Sequence, residues 1–87
     1  MENYYFTFGY SHKTMSGVEL FNVWVRVVAS DFDTARTLFI EKFSSIYMEK
    51  PDKWAFQYNE EQMDKRYFPA GEYALIEQDK KEITLFY

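Results

Sequence analysis

Phe21-Asn22-Val23-Trp24-Val25-Arg26-Val27-Val28-Ala29 runs directly into Ser30-Asp31-Phe32-Asp33-Thr34-Ala35-Arg36-Thr37-Leu38-Phe39, and the change of period between the two runs decides the fold. In the first, Phe21, Val23, Val25, Val27 and Ala29 share one face and Asn22, Trp24, Arg26 and Val28 the other, which is the spacing of a strand. In the second, Phe32, Ala35, Phe39, Phe43 and Ile46 recur at helical spacing with Leu38 beside them, while Arg36, Glu41 and Lys42 fall on or near the outer face. Ser30 or Asp31 is placed to cap this helix, and Asp33 suits its first turn. The helix is expected to fray after Phe43, at Ser44-Ser45.

Before this core, Tyr4–Tyr10 alternates as a strand, with Tyr4, Phe6, Phe8 and Tyr10 on one face and Tyr5, Thr7 and Gly9 on the other. Ser11–Glu19 reads as a loop, so the two strands form an antiparallel pair. After the helix, Tyr47–Lys53 is polar and contains Pro51, and Trp54–Tyr58 is a short strand. Asn59-Glu60-Glu61-Gln62 has the form of a capping box, which predicts a short helix through about Arg66, ended by Pro69-Ala70-Gly71. Glu72–Glu77 and Ile83–Tyr87 are strand candidates around a polar turn, Gln78–Glu82. The predicted class is α+β: an antiparallel sheet of about five strands, in the order β-β-α-β-(α)-β-β, packed on one main helix as a single domain over residues 1–87.

Composition narrows the chemistry. Among 87 residues there are nine Phe, eight Tyr and two Trp, large side chains from which a small domain can build a core. Phe32, Phe39, Phe43, Trp54 and Phe56 are the expected core aromatics. There is no Cys, which excludes disulfides, thiolate catalysis and Cys-ligated metal sites, and the single His leaves little for a His-based metal site. No metal and no cofactor is expected. The net charge of -4 argues against direct nucleic-acid binding. No apolar run is long enough to span a membrane, and Met1–Tyr10 lacks the form of a signal peptide, so a cytoplasmic protein is expected.

Three constellations carry candidate chemistry. Ser11, His12 and Lys13 follow Gly9 where the first strand enters its loop; they suit an anion or a polar ring, and equally a solvated hairpin loop. Trp54, Phe56 and Tyr58 make an aromatic face whose first use is core packing, leaving Gln57 on the opposite side in need of hydrogen-bond partners. Arg26 stands beside Trp24 on the polar face of the strongest strand; the pair could stack a ring and meet a phosphate, or Arg26 could pair across strands with a carboxylate. Asp31 and Asp33 are helix-capping residues rather than a metal pair. Glu60, Glu61 and Asp64 form an acidic group that suits a solvated helix start or an imitation of nucleic-acid phosphates. Ser11 and His12 lack an orienting third residue, and no P-loop or dinucleotide-binding glycine pattern is present, so an enzyme is not expected.

Read together, Phe6-Thr7-Phe8-Gly9-Tyr10-Ser11-His12 and Trp54-Ala55-Phe56-Gln57-Tyr58 resemble the paired blocks of a family of small phage- and prophage-encoded accessory proteins, an FTFG-x-x-H block and a WAFQY block. Between them Val23–Ala29, Phe32, Ala35-Arg36 and Phe43 follow the same pattern, so the resemblance covers about residues 4–62. The chain departs from it at Ser44–Asp52, where the family runs through a Gly into Lys-Trp, and after Met63. The resemblance implies phage or prophage origin and a counter-defence role in the host bacterial cytoplasm. By position the motif residues are Thr7, Gly9, His12, Gln57 and Tyr58. One expectation is a non-enzymatic binder that sequesters a small nucleotide-type immune signal through Thr7, Gly9, His12, Lys13, Trp24, Arg26, Gln57 and Tyr58, with oligomerisation helping to enclose it. The other is a protein-binding inhibitor of a defence effector, in the manner of an anti-CRISPR protein, acting through Glu60, Glu61, Asp64 and Tyr67.

Overall fold

The computed structural model describes residues 1–50, 54–57, 60–63 and 66–86, with the backbone alone at 55–57 and 62. The fold is α+β. Strand β1 (Glu2–Thr7) pairs antiparallel with β2 (Val23–Ala29), Glu2 opposite Ala29 and Thr7 opposite Trp24. On the other side of β1 lies β3 (Ala55–Gln57), also antiparallel. Strand β4 (Gly71–Glu77) runs parallel to β2, and β5 (Thr84–Leu85) closes the sheet antiparallel to β4, giving the order β3-β1-β2-β4-β5.

The sheet is therefore mixed, where the sequence suggested an antiparallel one. The cause is the crossover between β2 and β4. The helix carries the chain back to Ala55, where β3 starts opposite Thr7 and runs in the direction of β2; the chain returns once more after β3, so β4 starts at Gly71 opposite Val23, at the end where β2 also starts. The first strand is also shorter than its alternation: the chain turns after Phe8, so Tyr4, Phe6 and Phe8 join the core while Tyr10 is 84% exposed. At the other end β5 spans only Thr84–Leu85 of the predicted 83–87 strand within the described residues, with the Phe86 N–H on the Tyr73 carbonyl beside it.

Asp31 is the helix cap. Its backbone is extended (φ -155°) and its carboxylate accepts the Thr34 N–H at 2.8 Å. Helix α1 (Phe32–Phe39) then continues through a π-helical turn, Ile40–Ser44, into a last α-turn, α2 (Ser45–Tyr47). The expected fray at Ser44-Ser45 is instead this wide turn, in which the Ser45 N–H reaches the Ile40 carbonyl five residues back. The extra residue shifts the helical phase. Ile46, which straight α-helical spacing places on the core side, is 54% exposed, and Tyr47 takes its place against Phe43 at 5.4 Å. Met48 beyond it is fully buried.

One sheet face meets this helix. Phe6 stacks on Phe39 with ring centroids 4.3 Å apart and planes 5° apart, and Trp54 meets Phe6 edge-on at 4.8 Å. Phe39 and Phe43 are fully buried, with Phe32 and Trp54 packed against the cluster. The Phe56 and Tyr58 side chains lie outside the described atoms. The opposite face is partly covered by described residues between β3 and β4. There Met63 is buried and Phe68 meets Trp24 edge-on at 5.9 Å. The helix predicted from Asn59 to about Arg66 is a single 3-10 turn, Glu60–Gln62, closed by the Met63 N–H on the Glu60 carbonyl, and Arg66 and Tyr67 already lie in a turn. No helix among the described residues is long and apolar enough to cross a membrane.

Candidate functional site

The sheet face opposite α1 collects Thr7, Trp24 and Arg26 from among the predicted residues. Register aligns Gln57, Tyr5, Arg26 and Leu75 across four strands, and Ala55, Thr7, Trp24 and Glu72 in the next row. The side chains of β1 and β2 in these rows point away from the core because Phe6, Val25 and Val27 fill it from the alternate positions. Thr7 is buried, whereas Trp24 and Arg26 are half-buried. The Gln57 side chain lies outside the described atoms, as does the whole of Tyr58.

Glu72 ties this face together, and it is the cross-strand carboxylate that the sequence offered as one partner for Arg26. Its Oε1 accepts the Trp24 indole N–H at 3.2 Å and lies 2.9 Å from Arg26 Nε. The second contact is a charge pair rather than a directed hydrogen bond, since the Nε–H does not aim at the oxygen. On the neighbouring strand the Tyr5 hydroxyl donates to Glu60 Oε1 at 2.6 Å. Burial, then the hydrogen bond to Glu60 and the Glu60 charge, hold the Tyr5 hydroxyl protonated well above the ordinary tyrosine range; Glu72 acts in the same direction and Arg26 opposes them.

Glu60 also forms one wall of an open groove of ≈ 350 Å³ lined by Glu2, Asn3, Tyr4 and Tyr5. Two carboxylates on this groove are each held by a tyrosine hydroxyl, Glu60 by Tyr5 and Glu2 by Tyr4 at 3.0 Å. Of the acidic group, Glu60 and Glu61 are exposed, and Asp64 lies outside the described residues. Tyr67 is 64% exposed, with the Arg66 guanidinium 5.7 Å above its ring.

His12 and Lys13 belong to a different place. The chain turns at Gly9–His12, where the His12 N–H meets the Gly9 carbonyl at 3.2 Å and the Gly9 N–H donates to His12 Nδ1 at 2.7 Å. Gly9 has no positive φ; its role is the close approach of the imidazole, whose Cε1 lies 3.6 Å from where a Cβ would stand. The His12 ring meets the edge of Phe8, which packs on Phe39 and Phe43 on the helix side of the sheet. Lys13 is exposed, and its backbone bridges to Glu19 and accepts the Glu49 N–H. Thus Thr7, Trp24 and Arg26 share one face, joined by register to Gln57, while Gly9, His12 and Lys13 form a turn built around β1's end.

Sequence reasoning missed Tyr5, Glu72 and Phe68. Tyr5 was visible as the residue on the non-core phase of β1, and Glu72 as a charge at the start of a strand; nothing in the sequence showed that a parallel crossover would bring Glu72 beside Trp24 and Arg26. Among the described residues no group of three or more His, Asp or Glu is placed to hold a metal ion. The chain matches no known family model, no curated protein and no solved structure.

Proposed function

We propose that the chain is a non-enzymatic accessory protein of phage or prophage origin that binds a basic surface of a host defence protein through the acidic and aromatic side of the molecule. The observation that carries this reading is the pairing of Arg26 with Glu72. It neutralises the cation that a phosphate on this face would need, and Glu60, held by Tyr5 on the neighbouring strand, is exposed as a carboxylate there. Glu2 and Glu60, each oriented by a tyrosine, suit the ammonium or guanidinium groups of a partner, and Tyr67 supplies an exposed aromatic of the kind that anchors interfaces. The nucleotide-binding alternative needs His12 and Arg26 to act on one ligand, whereas His12 is folded onto Gly9 and Phe8 in the turn after β1 and Arg26 is paired with Glu72 on β2.

The test is affinity capture from bacterial lysate by the wild-type chain and by Glu60→Lys/Glu61→Lys, across a salt series. Capture of a protein that salt releases and the double reversal abolishes supports the reading. Capture that survives the reversal overturns it. A melting shift with cyclic or ADP-ribose-type nucleotides that Arg26→Gln abolishes favours the nucleotide alternative instead.

A further inference from the structure

Strand β5 ends the sheet, and its outer edge is open among the described residues. The Phe86 N–H donates to the Tyr73 carbonyl at 2.9 Å, with Leu85 opposite Ala74 and Thr84 opposite Leu75. Backbone groups in an antiparallel ladder alternate in direction, so Thr84 and Phe86 turn theirs to β4 while Ile83 and Leu85 turn theirs outward. Such an edge is a template for another strand unless shortness, a charge, a proline or a bulge guards it; the two residues of β5 are extended by Phe86, whose N–H continues the ladder. Here the outward residues are apolar, and Leu85 and Phe86 are 39% and 52% exposed.

The apolar surface continues onto the helix. Ile46, displaced outward by the π-turn, and Tyr47 line a groove of ≈ 350 Å³ with Ile83, Lys42, Lys81 and Glu82. Leu85 shares the sheet face of buried Ala74, the face on which the helix lies. The charges around this edge balance, Lys42, Lys80 and Lys81 against Glu77, Asp79 and Glu82, in a chain whose net charge is -4. Two copies that repel elsewhere can therefore meet here without repulsion. The edge also fits itself: an antiparallel copy sets the outward N–H and C=O of Ile83 against those of Leu85.

We propose that two copies of this chain associate edge to edge through β5, about a two-fold axis near Thr84. The two sheets join into one, the two α2 turns flank the axis on the same face, and each copy covers the other's Ile46–Ile83 groove. The interface is isologous, so it closes at the dimer and leaves the acidic face free on both copies.

Sedimentation equilibrium over a concentration series tests this, with far-UV circular dichroism and melting as checks of folding. The wild-type chain is expected to approach twice its 10.6 kDa mass, and Leu85→Lys and Ile46→Lys each to return it to the single mass while remaining folded. Ile46→Lys lies outside the sheet at an exposed position, so it reports even if Leu85→Lys unfolds. A wild-type chain that stays monomeric throughout, or a folded variant of either kind that stays dimeric, overturns the proposal.

Discussion

Tyr5 and Glu60 stand 55 residues apart in the chain, yet the Tyr5 hydroxyl donates to Glu60 Oε1 at 2.6 Å. The bond fastens the middle of β1 to the Glu60–Gln62 turn. Tyr5 is 3% exposed while Glu60 is exposed, so the bond runs from the interior to the rim. Removing the hydroxyl in Tyr5→Phe is expected to cost about 1 kcal/mol. The figure is below that for a buried charged pair because the released carboxylate returns to water. Glu60→Gln costs less, since its amide oxygen still accepts. Urea unfolding measures both, and equal stability of Tyr5→Phe and the wild type would show that the bond contributes nothing.

The same bond gives stability an alkaline limb. In the unfolded chain Tyr5 ionises near 10.0, and in the fold burial and Glu60 push its ionisation higher. The native state therefore keeps a proton that the unfolded chain releases. This contribution is complete below pH 10 and is lost as the pH rises from there through the folded-state value. Wild-type stability should fall more steeply above pH 10 than that of Tyr5→Phe. Parallel unfolding slopes in the two proteins would remove Tyr5 as the cause.

How much of this was legible in the sequence differs from element to element. The strand Val23–Ala29, the Asp31 cap and the core positions of Phe39 and Phe43 follow from periodicity, because each depends on neighbours within a few residues. The phase slip that exposes Ile46 does not, because a π-turn leaves no mark in residue spacing. The parallel pairing of β2 with β4 was also hidden, since it depends on how the whole crossover packs, and with it Glu72 as the partner of Arg26. Of the candidate site, the alternation of β2 was legible, with Trp24 and Arg26 on the less buried face. Residue types did not show that His12 would fold back onto Gly9 and away from that face.

Phe39 is the most consequential core position, fully buried and in ring contact with Phe6, Phe8, Phe43 and Trp54. Phe39→Ala removes these contacts and leaves a cavity, at an expected cost of about 3–5 kcal/mol. That is a large share of the stability of a small domain, so the variant should be partly unfolded at ambient temperature. Phe39→Leu keeps most of the volume and should remain folded with a lowered Tm. Thermal unfolding followed by circular dichroism distinguishes the two, and a fully folded, cooperative Phe39→Ala would contradict this core.

Asp31 should set an acid limb of its own. The backbone and side-chain bonds to Thr34 hold its carboxyl below the ordinary carboxylate range, opposed by desolvation and helped by Ser30. A depressed carboxylate stabilises the fold above its unfolded value and loses that contribution as the pH falls through its folded value. Asp31→Asn, which keeps a capping oxygen without the charge, is expected to flatten the loss of stability on acidification, whereas Asp31→Ala lowers Tm at neutral pH as well. Unfolding midpoints measured from pH 7 to pH 3 check both, and an unchanged acid slope in Asp31→Asn would assign the limb to other carboxylates.

Arg26 and Glu72 decide what the exposed face can hold. Their side chains are 32% and 22% exposed, between a solvated pair and a buried one. A double-mutant cycle with Arg26→Gln and Glu72→Gln is expected to give a coupling of about 0.5–1 kcal/mol, favourable to the pair. Glu72 also accepts from Trp24, so Glu72→Gln alone should cost more than Arg26→Gln, because it weakens two contacts and leaves Arg26 without its counter-charge. Binding gives the sharper test. In the wild type the guanidinium is already neutralised, and nucleotides bearing phosphates should leave the melting temperature unchanged. In Glu72→Gln the cation is released on this partly covered face near the Trp24 indole, and the same nucleotides should raise the melting temperature, with the effect fading as salt is added. A shift of equal size in both proteins would mean that phosphate is bound elsewhere on the molecule, and the acidic reading of this face would then lose its main support.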